Sequence, residues 1–238
     1  MEITPLGDCA VLVRLVEDFE GDPESALEQV LTSQQTLAAA KIPGVVELAP
    51  AYTTLALFYD PVRAIEAGAP PEDVSSWLEQ RIREVILNAK RVSARSNPAE
   101  TVEIPVCYAR EFAFDLDDVA RRAGLGVDGV VDLHSGAEYR VHCVGFTPGF
   151  PFLGGLSPKL VTPRRETPRT EIPAGSVGIG GKQTGIYPVK SPGGWNIIGR
   201  TPLRLFDPQT NPPVLLRAGH RVRFRPISHE EFDRLTKS

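Results

Sequence analysis

The 238 residues, 42% hydrophobic and 24% charged, are enough for two compact domains of roughly 100 to 140 residues, each with its own core. The longest apolar runs, such as Thr54 to Tyr59, fall far short of a membrane span, Glu2 precedes any basic residue, and Cys9, Cys107 and Cys143 show no CxxC spacing; neither anchor, signal peptide nor disulfide framework is expected, and cytoplasm is the expected compartment. The net charge of −4 conceals a reversal, from 6 basic against 15 acidic groups over residues 1–90 to 7 against 2 over residues 145–200, which fits a local anion site and, with a pI near 5.7, argues against a nucleic-acid surface.

A turn at Pro5 to Asp8 precedes an apolar strand over residues 9–16. Ala26, Leu27, Val30, Leu31, Leu37 and Ala38 recur at helical spacing from Pro23 until Pro43 and Gly44. Strands are expected at Val45 to Leu48 and Thr54 to Tyr59, joined near Pro50, with Asp60 and Pro61 ending the second. Val74, Trp77, Leu78, Ile82, Val85, Ile86 and Ala89 then predict a helix from about Pro71 to Lys90. The order β-α-β-β-α suggests a ferredoxin-like sandwich over residues 1–92.

Residues 91–100 are polar, contain Asn97 and Pro98 and show no period, so they read as a linker before a second domain over 100–238. Val102, Ile104 and Val106 alternate as a strand, Asp115 caps a predicted helix that stops at Gly124, a short helix follows from Asp128 to His134, and Tyr139 to Val144 is a strand. Residues 145–200 then hold 12 of the 21 glycines and 8 of the 22 prolines, which excludes long helices and predicts short strands and turns. With strands at Leu203 to Phe206, Val214 to Leu216 and Val222 to Phe224, the expectation is a closed or nearly closed β-barrel, and the chain as a whole is α+β.

Within the basic segment, SVGIGGKQ (Ser176 to Gln183) approaches a phosphate-binding loop but lacks its first glycine, its hydroxyl residue and the following helix. Gly175, Gly178, Gly180 and Gly181 either let backbone N–H groups approach an anion, with Lys182 adding charge, or only turn tight corners. AGSVG around Ser176 is a poor nucleophile elbow, and the four scattered histidines give no local metal motif. His134, ending a helix, is either a proton carrier or a partner of the helix dipole. Arg164, Arg165 and Arg169 sit in the stiff run PRRETPR, where a guanidinium fork would meet a carboxylate or phosphate unless it is simply solvated. Trp195 is a pocket wall or a core plug.

GFTPGFPFLGGL (Gly145 to Leu156), PRRETPRTEIPAGSVGIGGKQTGIYP (Pro163 to Pro188) and SPGGWNIIGRTPLRLFD (Ser191 to Asp207) together resemble the KipI / PxpB family, also called allophanate hydrolase subunit 1, over nearly the whole chain. The resemblance implies a ferredoxin-like N-terminal domain and a cyclophilin-like β-barrel. It implies a subunit of an ATP-dependent 5-oxoprolinase that acts with PxpC-like and PxpA-like partners, Mg accompanying the nucleotide, and is inactive alone. The family's other branch inhibits a sporulation histidine kinase without turnover. On this reading Arg169 and Lys182 neutralise phosphate or substrate carboxylate, and Gln183, Thr184 and Tyr187 fix the lactam. Gly178, Gly180 and Gly181 supply backbone donors, His134 carries the proton, and Trp195 and Arg200 complete the binding site.

Overall fold

The computed structural model describes residues 1–89 and 101–237. The chain divides into two compact units, Met1–Pro98 and Ala99–Ser238, and the run read as a linker, 91–100, lies outside the described residues. Both units mix helices with largely antiparallel sheet.

The first unit holds β1 (Glu2–Pro5), β2 (Ala10–Arg14), α1 (Pro23–Ala40), β3 (Val45–Ala51), β4 (Thr54–Tyr59), α2 (Pro61–Glu66) and α3 (Val74–Ala89). Its strands run in the order β1-β2-β4-β3, every neighbour antiparallel. Alternation sends Val11 and Val13 of β2 and Leu55, Leu57 and Tyr59 of β4 into a core closed by Val30 and Leu37 of α1 and by Leu78, Ile82 and Ile86 of α3. Asp22 starts α1 by accepting a hydrogen bond from Ser25 N at 3.1 Å, with Pro23 in the first turn. Two elements depart from the expected β-α-β-β-α order. β1 has one buried side chain, Ile3, too little to show a period. Asp60 and Pro61 do more than end a strand: the Asp60 carboxylate accepts from Val62 N at 2.9 Å and Arg63 N at 3.3 Å and opens α2. The β3–β4 turn lies at Tyr52 and Thr53, past Pro50, because Ala51 pairs with Thr54.

The second unit comprises β5 (Thr101–Val106), α4 (Leu116–Ala123), α5 (Val127–Ser135), β6 (Glu138–Val144), β7 (Pro151–Gly154), β8 (Arg169–Ile172), β9 (Ser176–Gly180), β10 (Gln183–Ile186), β11 (Ser191–Gly193), β12 (Asn196–Arg200), β13 (Arg221–Pro226) and α6 (His229–Thr236). The main path is β5-β13-β6-β7-β10-β9-β12, with β5 and β13 parallel and the rest antiparallel; β8 and β11 form a separate pair. Of the closed or nearly closed barrel expected, the closed form is not made. The path is open between β12 and β5, which are not paired as strands; their ends are linked by the bridge Cys107–Arg200, with its two backbone hydrogen bonds of 2.8 and 2.9 Å, beside the close approach of Gly199 to Val106. The strands expected at Leu203 to Phe206 and Val214 to Leu216 shrink to a single bridge, Phe206–Val214, in a stretch rich in proline, which offers no N–H to a ladder. Ile104, Val141, Leu153, Val177, Ile179, Ile198 and Val222 fill one face of the sheet beneath α4 and α5. The opposite face of β7, β9, β10 and β12 carries a second, aromatic cluster of Phe150, Tyr187, Trp195 and Ile197 with Ile172.

Candidate functional site

Asp115 stands just before α4, where the sequence predicts a cap, yet its carboxylate makes no capping bond. It is 2% exposed and accepts from Arg165 Nη1 at 2.7 Å, from Arg169 Nη1 and Nη2 at 2.8 Å each, and from the backbone N–H of Ile197 at 2.7 Å. Four N–H donors satisfy the oxygens of this buried carboxylate, and the two-pronged Arg169 contact fixes that guanidinium in direction as well as distance. Arg165 is further held by its backbone N–H on Gly194 O, 2.7 Å. The Arg169 guanidinium lies 5.6 Å from the ring centre of Phe114, itself 49% exposed.

The aromatic cluster abuts these arginines. Arg164, exposed and without an ion pair among the described residues, lies 5.9 Å from the Trp195 ring. Tyr187 is 1% exposed; burial pushes its phenol up, against the opposing pull of the Trp195 backbone N–H and of the Arg164 and Arg169 charges. Phe150 packs edge-on against both Tyr187 and Trp195, at 5.1 and 5.4 Å between centroids. The exposed Phe146, held at φ 69°, leans edge-on over Phe150 at 5.7 Å. Two guanidinium groups thus share one carboxylate and a third lies over the neighbouring aromatic floor, leaving positive charge and planar N–H edges for an anion.

Of the residues expected at a site, the fold brings Arg169, Tyr187 and Trp195 together. Gly178 and Gly180 lie directly below the indole, but their part differs from the one expected. A Cβ at Gly180 would fall 2.5 Å from Trp195 Cε2, and one at Gly178 3.3 Å from Trp195 Cβ. β9 is bonded on both sides, to β10 and β12, and Gly181 N donates to Thr162 O at 2.8 Å. The hairpin therefore does not fit a phosphate cradle: the ladder and Thr162 engage this backbone, and Trp195 fills the side where Cβ atoms are missing. Tyr187 is likewise a packing residue, its hydroxyl pressed on Gly193 and accepting the Trp195 backbone N–H.

His134 needs the plainest correction. It is 0% exposed and stacks on Phe224 at 4.5 Å. Thr184, also fully buried, donates its hydroxyl to Gly178 O at 3.1 Å. Thr184 Oγ1 therefore accepts from His134 Nε2–H at 2.9 Å, and His134 Nδ1 accepts from the Tyr108 hydroxyl at 2.8 Å. Burial lowers the imidazole to about 3, so the ring is neutral and carries a proton to no surface; nor does it answer a helix dipole. Lys182 and Gln183 lie at the two-residue β9–β10 turn, and Arg200 ends β12 in a separate cleft. Sequence reasoning missed Asp115 as the anchor of the arginines: an Asp ahead of a helix signals a cap, and nothing local reports a partner fifty residues away. Among the described residues, no group of three His, Cys, Asp or Glu side chains is placed to hold a metal ion, and no helix is long and apolar enough to cross a membrane.

The model of the carboxyltransferase domain, subdomain C and D, matches residues 1–216. The chain belongs to this family. It is 43% identical, over 97% of its length and 95% of the relative's, to the B subunit of 5-oxoprolinase from Bacillus subtilis (strain 168), which places it with the KipI / PxpB group. Against the corresponding 5-oxoprolinase subunit of Escherichia coli O157:H7 the identity is 54% over 125 residues, 52% of this chain and 57% of that one. Among solved structures, the uncharacterized protein PH0987 of Pyrococcus horikoshii is 41% identical, with 97% of this chain and all of that one aligned and a TM-score of 0.55. The protein TTHA0988 is 37% identical with a TM-score of 0.73 over 92% of this chain, which spans only 40% of TTHA0988.

Proposed function

We propose that this chain is a subunit of a 5-oxoprolinase, a hydrolase complex that opens the five-membered lactam of 5-oxoproline to glutamate with hydrolysis of ATP. The observation that carries the reading is the 43% identity, spread over almost the full length of both chains, to a protein named as the B subunit of 5-oxoprolinase. A lactam is a poor electrophile; transfer of the γ-phosphoryl group of ATP to its amide oxygen activates the ring carbon, so that water adds, the C–N bond breaks as the nitrogen takes a proton, and phosphate departs to leave glutamate. Both the substrate carboxylate and the transferred phosphoryl group are anions. The surface around Arg164 and Arg169 suits such a group: Arg169 is aimed by Asp115, and Arg164 has no competing carboxylate among the described residues. ATP, with its Mg, enters as a substrate shared with companion subunits, and no step is assigned to the glycine hairpin.

The reading includes PxpC-like and PxpA-like partners. The exposed rings of Phe114 and Phe146, each touching the cluster, form the kind of aromatic surface that partner proteins cover, and TTHA0988 carries more than half its length beyond the part matched here. In fold terms the first unit is ferredoxin-like in sheet order, with the N-terminal β1 taking the edge place of the usual last strand, and the second is a cyclophilin-like barrel left open at one seam. The test is ATP-dependent glutamate formation from 5-oxoproline by this chain with its two companions, leaving out each in turn. Arg164→Gln is expected to reduce kcat/KM by about tenfold or more with an unchanged unfolding midpoint. A rate indifferent to omission of this chain overturns the proposal.

A further inference from the structure

The second unit has a cleft of about 490 Å³ apart from the arginine and aromatic cluster, between the open end of the β9–β10 hairpin, the segment after β12 and α6. Three cations line it, Lys190, Arg200 and Arg204, and no carboxylate does. Lys190 and Arg204 are mostly exposed and pair at the rim with Glu171 at 2.7 Å and Asp207 at 2.9 Å, contacts that solvent screens and that are readily exchanged. Arg200 differs. It is half-buried, its Nε donates to Ala174 O at 2.8 Å, its Cζ lies over the Phe112 ring at 5.8 Å from the centroid, and neither Nη meets an acceptor among the described residues. Arg165 and Arg169, also partly buried, share Asp115; Arg200 has no such counter-charge. Burial lowers its pKa, as expected for a cation left without one.

The surroundings hold this guanidinium in place. Gly175 takes φ 81°, and a Cβ there would lie 2.3 Å from Thr201 O and 3.4 Å from Arg200 Cγ, so only glycine lets the hairpin close against the end of β12. With Nε tied to a carbonyl and one face on Phe112, the two Nη groups remain as a planar fork, while Pro188, Leu203, Phe206 and Phe232 wall the cleft with apolar surface. We infer that this cleft binds the anionic group of a small organic ligand, a carboxylate or a phosphate, on the Nη fork of Arg200, with Lys190 and Arg204 turning inward from the rim. The inference does not depend on the 5-oxoprolinase reading.

The full-length chain is titrated calorimetrically at low ionic strength with 5-oxoproline, with inorganic phosphate and with uncharged 2-pyrrolidinone. Saturable binding of one or both anions, none of 2-pyrrolidinone, and a loss of about tenfold or more in Arg200→Gln support the site, and the two anion arms tell carboxylate from phosphate. Arg164→Gln tells the two clusters apart: anion binding that this change weakens and Arg200→Gln leaves intact belongs to the arginine and aromatic cluster and overturns the inference. Should Arg200→Gln fold poorly, the exposed pair Lys190→Ala and Arg204→Ala decides, since weakening by about threefold or more is expected from losing both charges. No saturable binding of either anion, or an affinity indifferent to these changes, overturns the inference. The turnover assay of the assembled enzyme is a separate readout, so failure here leaves the subunit reading standing.

Discussion

At Gly180 a methyl group has nowhere to go, because the edge of the Trp195 indole occupies that volume at 2.5–2.6 Å, while β9 is pinned by strands on both sides. Gly180→Ala is therefore expected to cost about 1–3 kcal/mol in urea unfolding and to red-shift the Trp195 emission as the ring is displaced. Gly181→Ala gives the contrast. Nothing lies within 4 Å of its Cβ position, only its φ of 65° is adverse, and a smaller loss of about 1 kcal/mol with unmoved emission is expected. Equal effects of the two changes would show that the indole does not rest on β9. The run of glycines was visible in the sequence as a departure from helix and as either an anion cradle or a set of tight corners. What the local sequence cannot show is that the ring of Trp195, just ahead of β12, lies against Gly178 and Gly180; the pairing of Asn196 with Ile179 supplies it. Asp115 is the parallel case. Its place before a helix was legible, but the four donors that claim its carboxylate come from residues fifty or more positions away.

α6 shows how a short element escapes a search for periodicity yet leaves a chemical mark. Ser228 Oγ accepts from Glu231 N at 3.1 Å, and Ser228 to Glu231 has the Ser-x-x-Glu spacing of a helix start, although the Glu231 side chain turns to Arg225 at 3.0 Å instead of closing the box. Phe232 then packs on Phe112 at 4.5 Å and joins Cys107 and Ile227. Ser228→Ala is expected to weaken the helix by about 1 kcal/mol, read as faster amide exchange at Phe232 and Asp233 with little change in β6 or β13. Unaltered exchange in α6 would mean that tertiary packing alone holds it. The same lesson applies to α2, whose Asp-Pro start was read as a strand end. The long helices α1 and α3 and the strand β4 were legible because their burial follows one period from end to end, whereas β5 and β6, read as strands from their apolar residues, bury three and four consecutive positions and do not alternate. The seam between β12 and β5 was not, since closure depends on strand tilt and stagger, which no single segment encodes.

Taken as a whole, the second unit couples its stability to pH through two buried histidines. Burial lowers His134 to about 3, and burial together with the charge of Arg140 lowers His142 to about 4, against 6.5 for the exposed side chain. In the unfolded chain both rings take up protons near pH 6.5, whereas in the fold they stay neutral until much lower pH. Stability from this source is accordingly full above about pH 7 and is lost as pH falls, by about 1.4 kcal/mol per unit for each histidine. The carboxylates whose pKa values are lowered by hydrogen bonds and cations, Glu138, Asp207 and Glu231, begin from 4.5, 3.8 and 4.5 when unfolded, so their loss sets in only at more acid pH. Between pH 7 and 5 the slope therefore belongs to the histidines. Urea unfolding of the full chain is expected to lose about 3–4 kcal/mol between pH 7.5 and 5, a large share of a typical domain's stability, and His142→Gln is expected to remove roughly half of that slope. A profile flat across this range would mean that the rings protonate inside the fold, and the hydrogen-bonded chain from Tyr108 through His134 to Thr184 would have to be redrawn with a charged centre.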